Sequence, residues 1–167
     1  MVSLGIDASL RSTGMSLIYD NDSAVKHIAT GTRTEGERLG FIYDSATRFT
    51  YGRAIDICVM EGPAFNATTK AFSMGEVYGL FKLLVYKEIG CPIIIVSPKE
   101  LKKYLCSSGD ATKARMISKA GDLGCPSDQE DICDSWAAGL LGRDITNNTN
   151  TPSTRAALEM VTKLRAK

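Results

Sequence analysis

The chain has 167 residues, a length suited to one domain with a core of ordinary size, and its 44% hydrophobic and 23% charged residues are typical of a soluble globular protein. Its longest apolar run, residues 92–96, is too short to cross a bilayer, and charged Asp7 and Arg11 interrupt the only candidate signal segment, so we expect a cytoplasmic protein without membrane contact. The net charge of +1 counts mildly against nucleic-acid binding, although local clusters of basic residues matter more.

The first 30 residues predict three short strands, at residues 2–7, 14–19 and 24–30. The connections at residues 8–13 and 20–23 contain turn-forming residues. Consecutive strands joined by such short loops predict an antiparallel meander.

Helix and strand patterns alternate after the meander. Apolar residues at spacings of three and four predict a helix over about residues 34–51, and residues 54–60 predict a buried strand that ends before Glu61. A long helix over about residues 68–89 and a second buried strand at 92–96 follow. Ser97-Pro98 then begins a short helix that runs to Leu105.

The last part of the chain predicts two more core helices and a tail. One helix covers about residues 111–121, and Pro126-Ser127 begins the other, where Ser127 and Glu130 fit a capping box. Residues 144–154 are rich in Asn and Thr, which predicts a polar linker. A short helix is predicted after it, at residues 156–166. We therefore expect a domain at 1–143 and a tail at 144–167. The element order predicts an α/β fold in which helices pack on the faces of a mixed sheet.

The cysteines and the histidine carry little chemical signal. The cysteines are five in number and scattered without a CxxC pair, so we expect reduced thiols and neither a disulfide framework nor a zinc site. The single histidine, His27, is expected to be a surface strand residue, and a Ser-His-Asp or Cys-His catalytic set is not expected in so histidine-poor a chain.

Carboxylates at the ends of two buried strands, Asp7 and Glu61, are the first candidate site residues. Either alone could mark where a strand meets water, but neighbouring strands would bring both together. Asp131 and Asp134 are three residues apart on the last core helix and share one helical face. A solvated acidic face near the helix start is the alternative, yet Asp134 lies within an apolar helix and needs a partner there. Four such oxygen ligands suit two Mg²⁺ or Mn²⁺ ions and phosphodiester hydrolysis.

Four blocks of sequence, in this order, are similar to those of the RuvC family of Holliday junction resolvases, over residues 2–141. They are LGIDASLRSTG at residues 4–14, VMEGPAF at 59–65, GDATK at 109–113 and DICDSWA at 131–137. The resemblance implies a ribonuclease H-like fold, with three antiparallel strands followed by parallel strands in a five-stranded sheet and helices on both faces. It also implies a homodimer that nicks two strands of a four-way or branched DNA symmetrically. Metal-binding roles fall to Asp7, Glu61, Asp131 and Asp134.

The resemblance also suggests residues that contact DNA. It places Lys102 and Lys113 at the scissile region, with Lys113 among the catalytic residues, and it implies that Phe65 stacks on bases at the junction. The other basic residues expected to neutralise phosphates are Lys103, Arg115 and Lys119. Solvated lysines and a hydrophobic loop anchor are the alternatives.

Two departures from the family leave other functions open. The usual Asp-Pro-Gly after the first strand is Asp7-Ala8-Ser9 here, and the loop at residues 62–69 has little in common with bacterial members, which is compatible with a divergent or phage-encoded branch. A catalytically silent DNA-binding module and a YqgF-like RNA nuclease remain alternatives. An actin-like ATPase would need two such domains, for which the chain is too short.

Overall fold

A five-stranded mixed sheet organises the computed structural model, which describes residues 1–63, 71–152, 159 and 162–163. The strands are β1 (Ser3–Asp7), β2 (Ser12–Ile18), β3 (Ser23–Ala29), β4 (Ile57–Glu61) and β5 (Ile93–Val96). Their order across the sheet is β3-β2-β1-β4-β5. The first three strands pair antiparallel, while β4 and β5 continue the sheet in parallel with β1, so the predicted meander and mixed sheet are confirmed.

Within residues 1–63 and 71–152, five α-helices cover the sheet. They are α1 (Glu35–Thr50), α2 (Ala71–Leu84), α3 (Pro98–Cys106), α4 (Lys113–Asp122) and α5 (Glu130–Asn147), and a π-helical turn, Val85–Ile89, continues α2. The helix that begins at Ser97 has a full capping box, in which the Ser97 side chain accepts from the Glu100 N–H and the Glu100 side chain accepts from the Ser97 N–H. None of the described helices is long and apolar enough to span a membrane.

The alternation of side chains along each strand creates a hydrophobic core on either face of the sheet. Leu4 and Ile6 of β1 point to the face that α1 and α2 cover, where they pack with Phe81. Val59 of β4 points to the opposite face and packs with Trp136 under α3, α4 and α5. Helices on both faces are therefore confirmed.

Small residues let α5 lie directly on β1 and β2. A Cβ atom at Gly5 would overlap the carbonyl oxygen of Ser135, and one at Gly14 would overlap that of Asp131. The Ser16 hydroxyl of β2 donates to the Ser135 carbonyl at 2.7 Å. The absence of side chains at these two strand positions therefore brings the start of α5 close to the end of β1.

Two strand predictions need correction. Strand β4 begins at Ile57, because residues 54–56 are not paired in the sheet. The strand predicted to be buried at 92–96 is an edge strand over Ile93–Val96, and 39% of Ile95 is exposed. An edge strand has a neighbour on only one side, which leaves part of its apolar surface uncovered.

The two ends of α5 also differ from the predictions. The helix begins at Glu130 with Gln129 as its N-cap and no side-chain capping bond, so the capping box predicted at Ser127 is wrong. The helix continues through the first four residues of the predicted linker, to Asn147. The fully buried Asp144 carboxylate accepts from the Tyr104 hydroxyl at 2.8 Å and from the Thr151 N–H at 2.6 Å, so this segment packs against the core. The division at residue 143 stays a prediction.

Two remaining predictions concern the cysteines and the tail. All five cysteines lie in the described part of the chain and are free thiols, as predicted. Of the helix predicted at residues 156–166, only Glu159, Thr162 and Lys163 fall within the described residues, and these three are helical.

Candidate active site

Asp7 and Glu61 lie side by side at the ends of two neighbouring parallel strands. Each is the last residue of its strand, and the two are direct partners in the β1–β4 register. Neighbouring strands are about 4.8 Å apart, so both side chains emerge at one edge of the sheet. The register thus brings together two acids that are 54 positions apart in the chain.

Helix α5 brings the second pair of acids to the same edge. Asp7 is the register partner of Gly14, and Gly14 is the residue against which the Asp131 carbonyl packs. Asp134 lies one helical turn further along α5. The start of α5 therefore lies above the ends of β1 and β2.

Burial and mutual repulsion oppose the ionisation of three of these carboxylates. Burial, then the charges of Glu61 and Asp134, raise the pKa of Asp7 from 3.8 to about 9. Burial and Asp134 raise the pKa of Glu61 to about 8, against the opposing effect of Lys102. Burial and Glu130 raise the pKa of Asp134 to about 6. The four predicted acids thus form one electrostatic cluster with an excess of negative charge.

The donor set of this cluster fits a hard divalent cation. Carboxylate oxygens are the ligands that Mg²⁺ and Mn²⁺ prefer, and a cation would neutralise the charge that otherwise holds protons on Asp7 and Glu61. Within the described residues, no group of three or more His, Cys, Asp or Glu side chains is already gathered as tightly as a bound ion requires. Carboxylates that repel one another need the cation itself to draw them together.

Two predicted lysines lie beside the acids. The positive charge of Lys102, on α3, lowers the pKa of both Glu61 and Asp134, so this lysine acts electrostatically on the acidic cluster. Lys113, at the start of α4, forms an ion pair with Glu130 at 2.6 Å between Nζ and Oε1, and this bond raises the pKa of Lys113. Both lysines therefore stand at the rim of the acidic cluster.

The other predicted DNA contacts are more scattered. Lys103 pairs with Glu159 at 3.4 Å and Lys119 with Asp122 at 4.0 Å. The Arg115 guanidinium donates to the Cys106 carbonyl at 3.2 Å. All three belong to α3 or α4, the helices that carry Lys102 and Lys113. Phe65 lies outside the described residues.

Two residues of the cluster escaped the sequence analysis. The charge of Glu130 raises the pKa of Asp7, Glu61 and Asp134, so this acid is part of the same acidic cluster. Burial and the charges of Asp7 and Glu61 raise the pKa of Tyr78, which places its hydroxyl near the strand ends. Glu130 could have been found, since it is one helical turn before Asp134. Tyr78 had no such local signal.

The contacts of His27 were not predicted from the sequence. Its side chain is 32% exposed, and its Nε2 lies 2.8 Å from the Ser12 hydroxyl and 3.7 Å from Oδ2 of Asp131. His27 does lie partly exposed on the edge strand β3, as predicted, but the sequence did not predict that its ring meets Ser12 and Asp131. Only the strand register, which pairs Gly14 with His27, reveals this position.

Two known proteins with similar sequences have the same name. No family model matches the chain. It is 30% identical over 121 residues to the crossover junction endodeoxyribonuclease RuvC of Parvibaculum lavamentivorans, which covers 68% of either chain. It is 27% identical over 150 residues to the enzyme of the same name from Ehrlichia ruminantium strain Gardel, covering 82% of this chain and 92% of the relative.

Solved structures share the fold. The structure of Thermus thermophilus RuvC in complex with a Holliday junction substrate superposes with a TM-score of 0.73 at 20% identity, over 84% of this chain and 91% of that one. A second structure of Thermus thermophilus RuvC gives a TM-score of 0.71 at the same identity, over 84% of this chain and 92% of that one. The predicted ribonuclease H-like architecture is confirmed.

Proposed function

The chain belongs to the RuvC family of crossover junction endodeoxyribonucleases, and from this membership we propose that it resolves Holliday junctions or other branched DNA by hydrolysing phosphodiester bonds. It is a structure-selective endonuclease, and we place the protein in the cytoplasm, or in the host cytoplasm if it is phage-encoded. The observation that best supports this proposal is the pairing of Asp7 with Glu61 in the β1–β4 register, because the acids of α5 lie above these two residues.

Asp7, Glu61, Asp131 and Asp134 would hold the divalent cations, Mg²⁺ with Mn²⁺ as a substitute and two ions in each site. Such ions supply positive charge that promotes attack of water on phosphorus and stabilises the leaving oxygen. The protein contributes the placement: two rigid strand ends and one helix set the carboxylates around the scissile phosphate. Partial burial excludes bulk water, which strengthens each electrostatic contact.

Lys102 and Lys113 would bind the phosphates on either side of the cut. The Nζ of Lys113 is held by the exposed Glu130 carboxylate, and an exposed ion pair of this kind is worth only about 0–1 kcal/mol, so a DNA phosphate can replace the carboxylate. Phosphate contacts by Lys103, Arg115 and Lys119 would add affinity without reading the sequence. Phe65 would stack on an unpaired base.

A four-way junction has two equivalent strands to cut, which favours a homodimer with two sites. Helix α2 offers a surface for it. Its inner side packs into the core through Val77 and Phe81, while its outer side exposes 94% of Phe72 and 53% of Leu83, and the π-helical turn that continues it exposes 78% of Tyr86. Exposed apolar side chains concentrated on one helix are a common mark of a protein interface.

This outer side is complementary to itself about Gly79. If α2 crosses a second copy of itself antiparallel at Gly79, residues at equal distances on either side face each other. Phe72 then faces Tyr86, and Glu76 faces Lys82. Leu83 faces Gly75, where a Cβ atom would meet none of the described residues within 4 Å. A twofold contact must be self-complementary in this way, so we propose α2 as the dimer helix.

We test the nuclease function with Asp7→Asn. The substitution removes one charged ligand but preserves shape, so we expect cutting of a synthetic four-way DNA junction in Mg²⁺ to fall more than about 100-fold, because even residues behind the ligands are worth about 10–100-fold. Junction binding, measured by gel shift in Ca²⁺ or chelator, should remain. The matched control is Asp44→Asn, an exposed acid on α1.

Three comparisons separate the alternatives. A silent binding module would bind the junction but never nick it in Mg²⁺ or Mn²⁺. An RNA nuclease would cut an RNA junction faster than the DNA junction. Equal cutting by wild type and Asp7→Asn would refute the role of the strand-end acids.

A further inference from the structure

Three side chains from three elements meet beside the acidic cluster. Ser12 of β2 donates its hydroxyl hydrogen to Oδ2 of Asp131 at the start of α5. His27 of β3 also contacts this hydroxyl, with Nε2 at 2.8 Å from Oγ and at 3.7 Å from Oδ2 of Asp131. In the β2–β3 register, Gly14 faces His27, so Ser12 and His27 are diagonal neighbours on the sheet face that α5 covers.

The hydrogen bonds among these three side chains can be donated in only one direction. An ionised carboxylate only accepts, and a hydroxyl has one hydrogen to give. Since the Ser12 hydrogen goes to Asp131, the Ser12 oxygen must accept from His27, and Nε2 of His27 must carry a hydrogen. The chain therefore runs from His27 through Ser12 to Asp131.

This direction excludes a nucleophilic serine. In a hydrolytic triad, the histidine accepts the serine hydrogen at one nitrogen and donates to the acid from the other. Here the Ser12 hydroxyl donates to the acid, so its hydrogen is not available to the histidine, and the ring nitrogen next to Ser12 must be the donor. Ser12 and His27 thus act on Asp131 and not on a substrate.

We propose that Ser12 and His27 are positioning residues that orient the Asp131 carboxylate as a cation ligand. The contact of Gly14 with the Asp131 carbonyl places the backbone, which leaves only the side-chain torsions to be set. The hydrogen bond from Ser12 to Oδ2 fixes the rotation of the carboxylate and leaves its other lone pairs for a cation. This inference rests on the proposed function, because it takes Asp131 as a ligand.

The orientation has a physical benefit for a weakly assembled site. The side chain of Asp131 is 30% exposed, and without partners it would rotate among several rotamers. Groups that hydrogen-bond a metal ligand are typically worth about 10–100-fold in metal affinity. By fixing the orientation of Asp131, Ser12 and His27 should therefore raise the metal affinity of a site whose ligands otherwise repel each other.

We test this by titrating the DNA-free protein with Mn²⁺ and measuring the free ion by electron paramagnetic resonance. Ser12→Ala and His27→Ala should each weaken Mn²⁺ binding about 10–100-fold. Ser12→Thr retains the hydroxyl, and His27→Gln retains a donor at the position of Nε2, so both should bind within a few-fold of wild type. The controls are Ser23→Ala and Lys26→Ala on β3.

Junction cutting gives a second readout. Raising the Mg²⁺ concentration should restore the maximal rate of Ser12→Ala and His27→Ala, because only the apparent metal affinity has changed, whereas Asp7→Asn should not recover. Thermal melting without metal shows whether each variant folds; if an alanine variant does not fold, the threonine and glutamine variants are compared with Ser12→Val and His27→Leu.

The outcomes distinguish the two proposals. Wild-type Mn²⁺ affinity in Ser12→Ala and His27→Ala, with loss in Asp7→Asn, overturns the positioning role but retains the nuclease. If wild type binds no Mn²⁺ and does not cut, both proposals fail. Failure of threonine and glutamine to restore binding in folded variants also contradicts the positioning role.

Discussion

At the scale of one residue, Asp7 illustrates why the acidic site makes the metal-free protein less stable when its carboxylates are ionised. Burial and the neighbouring acids raise its pKa to about 9, so the folded chain holds a proton that the unfolded chain releases near 3.8. Glu61 and Asp134 shift in the same direction. Each shift contributes stability below the unfolded pKa, and that contribution is lost as the pH rises through the folded pKa.

We therefore expect the metal-free protein to lose stability between pH 5 and pH 9. The loss of stability caused by ionisation of Asp134 is complete near pH 6. The losses caused by Glu61 and Asp7 are complete near pH 8 and pH 9. Thermal melts in chelator should show a falling Tm over this range, and Mg²⁺ should reduce the fall because it replaces the protons. Asp7→Asn should raise the Tm at pH 8 by at least about 2 °C, since 1 kcal/mol shifts a domain of this size by about 2–4 °C.

Asp44→Asn is again the control, because it removes an exposed acid and should leave the pH slope unchanged. A Tm that rises from pH 5 to pH 9 in chelator would contradict this account of the cluster.

Sequence patterns found the acids but not their partners. Asp7 and Glu61 stood out because each ends an apolar run, and Asp131 and Asp134 because of their helical spacing. Ser12 and His27 had no comparable signal, since their contact with Asp131 spans 119 and 104 positions and depends on strand register.

Among the elements, α5 determines whether the site exists. It delivers two of the four acids, and it reaches the strand ends because Gly5 and Gly14 leave room for its backbone. Its bounds were only partly predictable. The Ser127 hydroxyl accepts from the Gln129 N–H at 3.2 Å, a local turn that uses the side chain expected to cap the helix.

We expect Gly14→Ala to damage both the fold and the site. The added methyl group would overlap the Asp131 carbonyl and push the start of α5 away from β2, at a cost of about 1–3 kcal/mol in urea denaturation. Mn²⁺ affinity should fall as well, because Asp131 and Asp134 move with the helix.

Gly40→Ala is the matched control on α1. A Cβ atom there meets no atom of the described part of the chain within 4 Å, so alanine should stabilise the helix by about 0.5–1 kcal/mol. A neutral Gly14→Ala would show that α5 can shift without cost.

At the scale of the whole molecule, the proposed dimer pairs two copies of α2 about Gly79. The arrangement predicts that Glu76→Lys places two lysines opposite each other at two symmetric positions, since Lys82 faces this residue. We expect this substitution to dissociate the dimer in sedimentation velocity, and the double variant Glu76→Lys with Lys82→Glu to restore it, because like charges in an interface repel strongly.

Phe72→Asp should also produce monomers, whereas Tyr51→Asp, which alters an equally exposed aromatic residue outside α2, should not. Junction nicking by the monomers should lose its symmetry, so that one strand is cut without the other. A wild-type protein that sediments as a monomer, or a double variant that stays monomeric, would refute the proposed crossing at Gly79.

The amino-acid sequence by itself determined the order of strands and helices, the mixed sheet and the four candidate acids, because periodicity and strand ends are local properties of a chain. Only the tertiary structure decided that β5 is an edge strand, that α5 begins at Glu130 and that Ser12 and His27 reach Asp131. These features depend on which distant segments pack together, and that packing depends on the shapes of both surfaces, which no single stretch of sequence specifies.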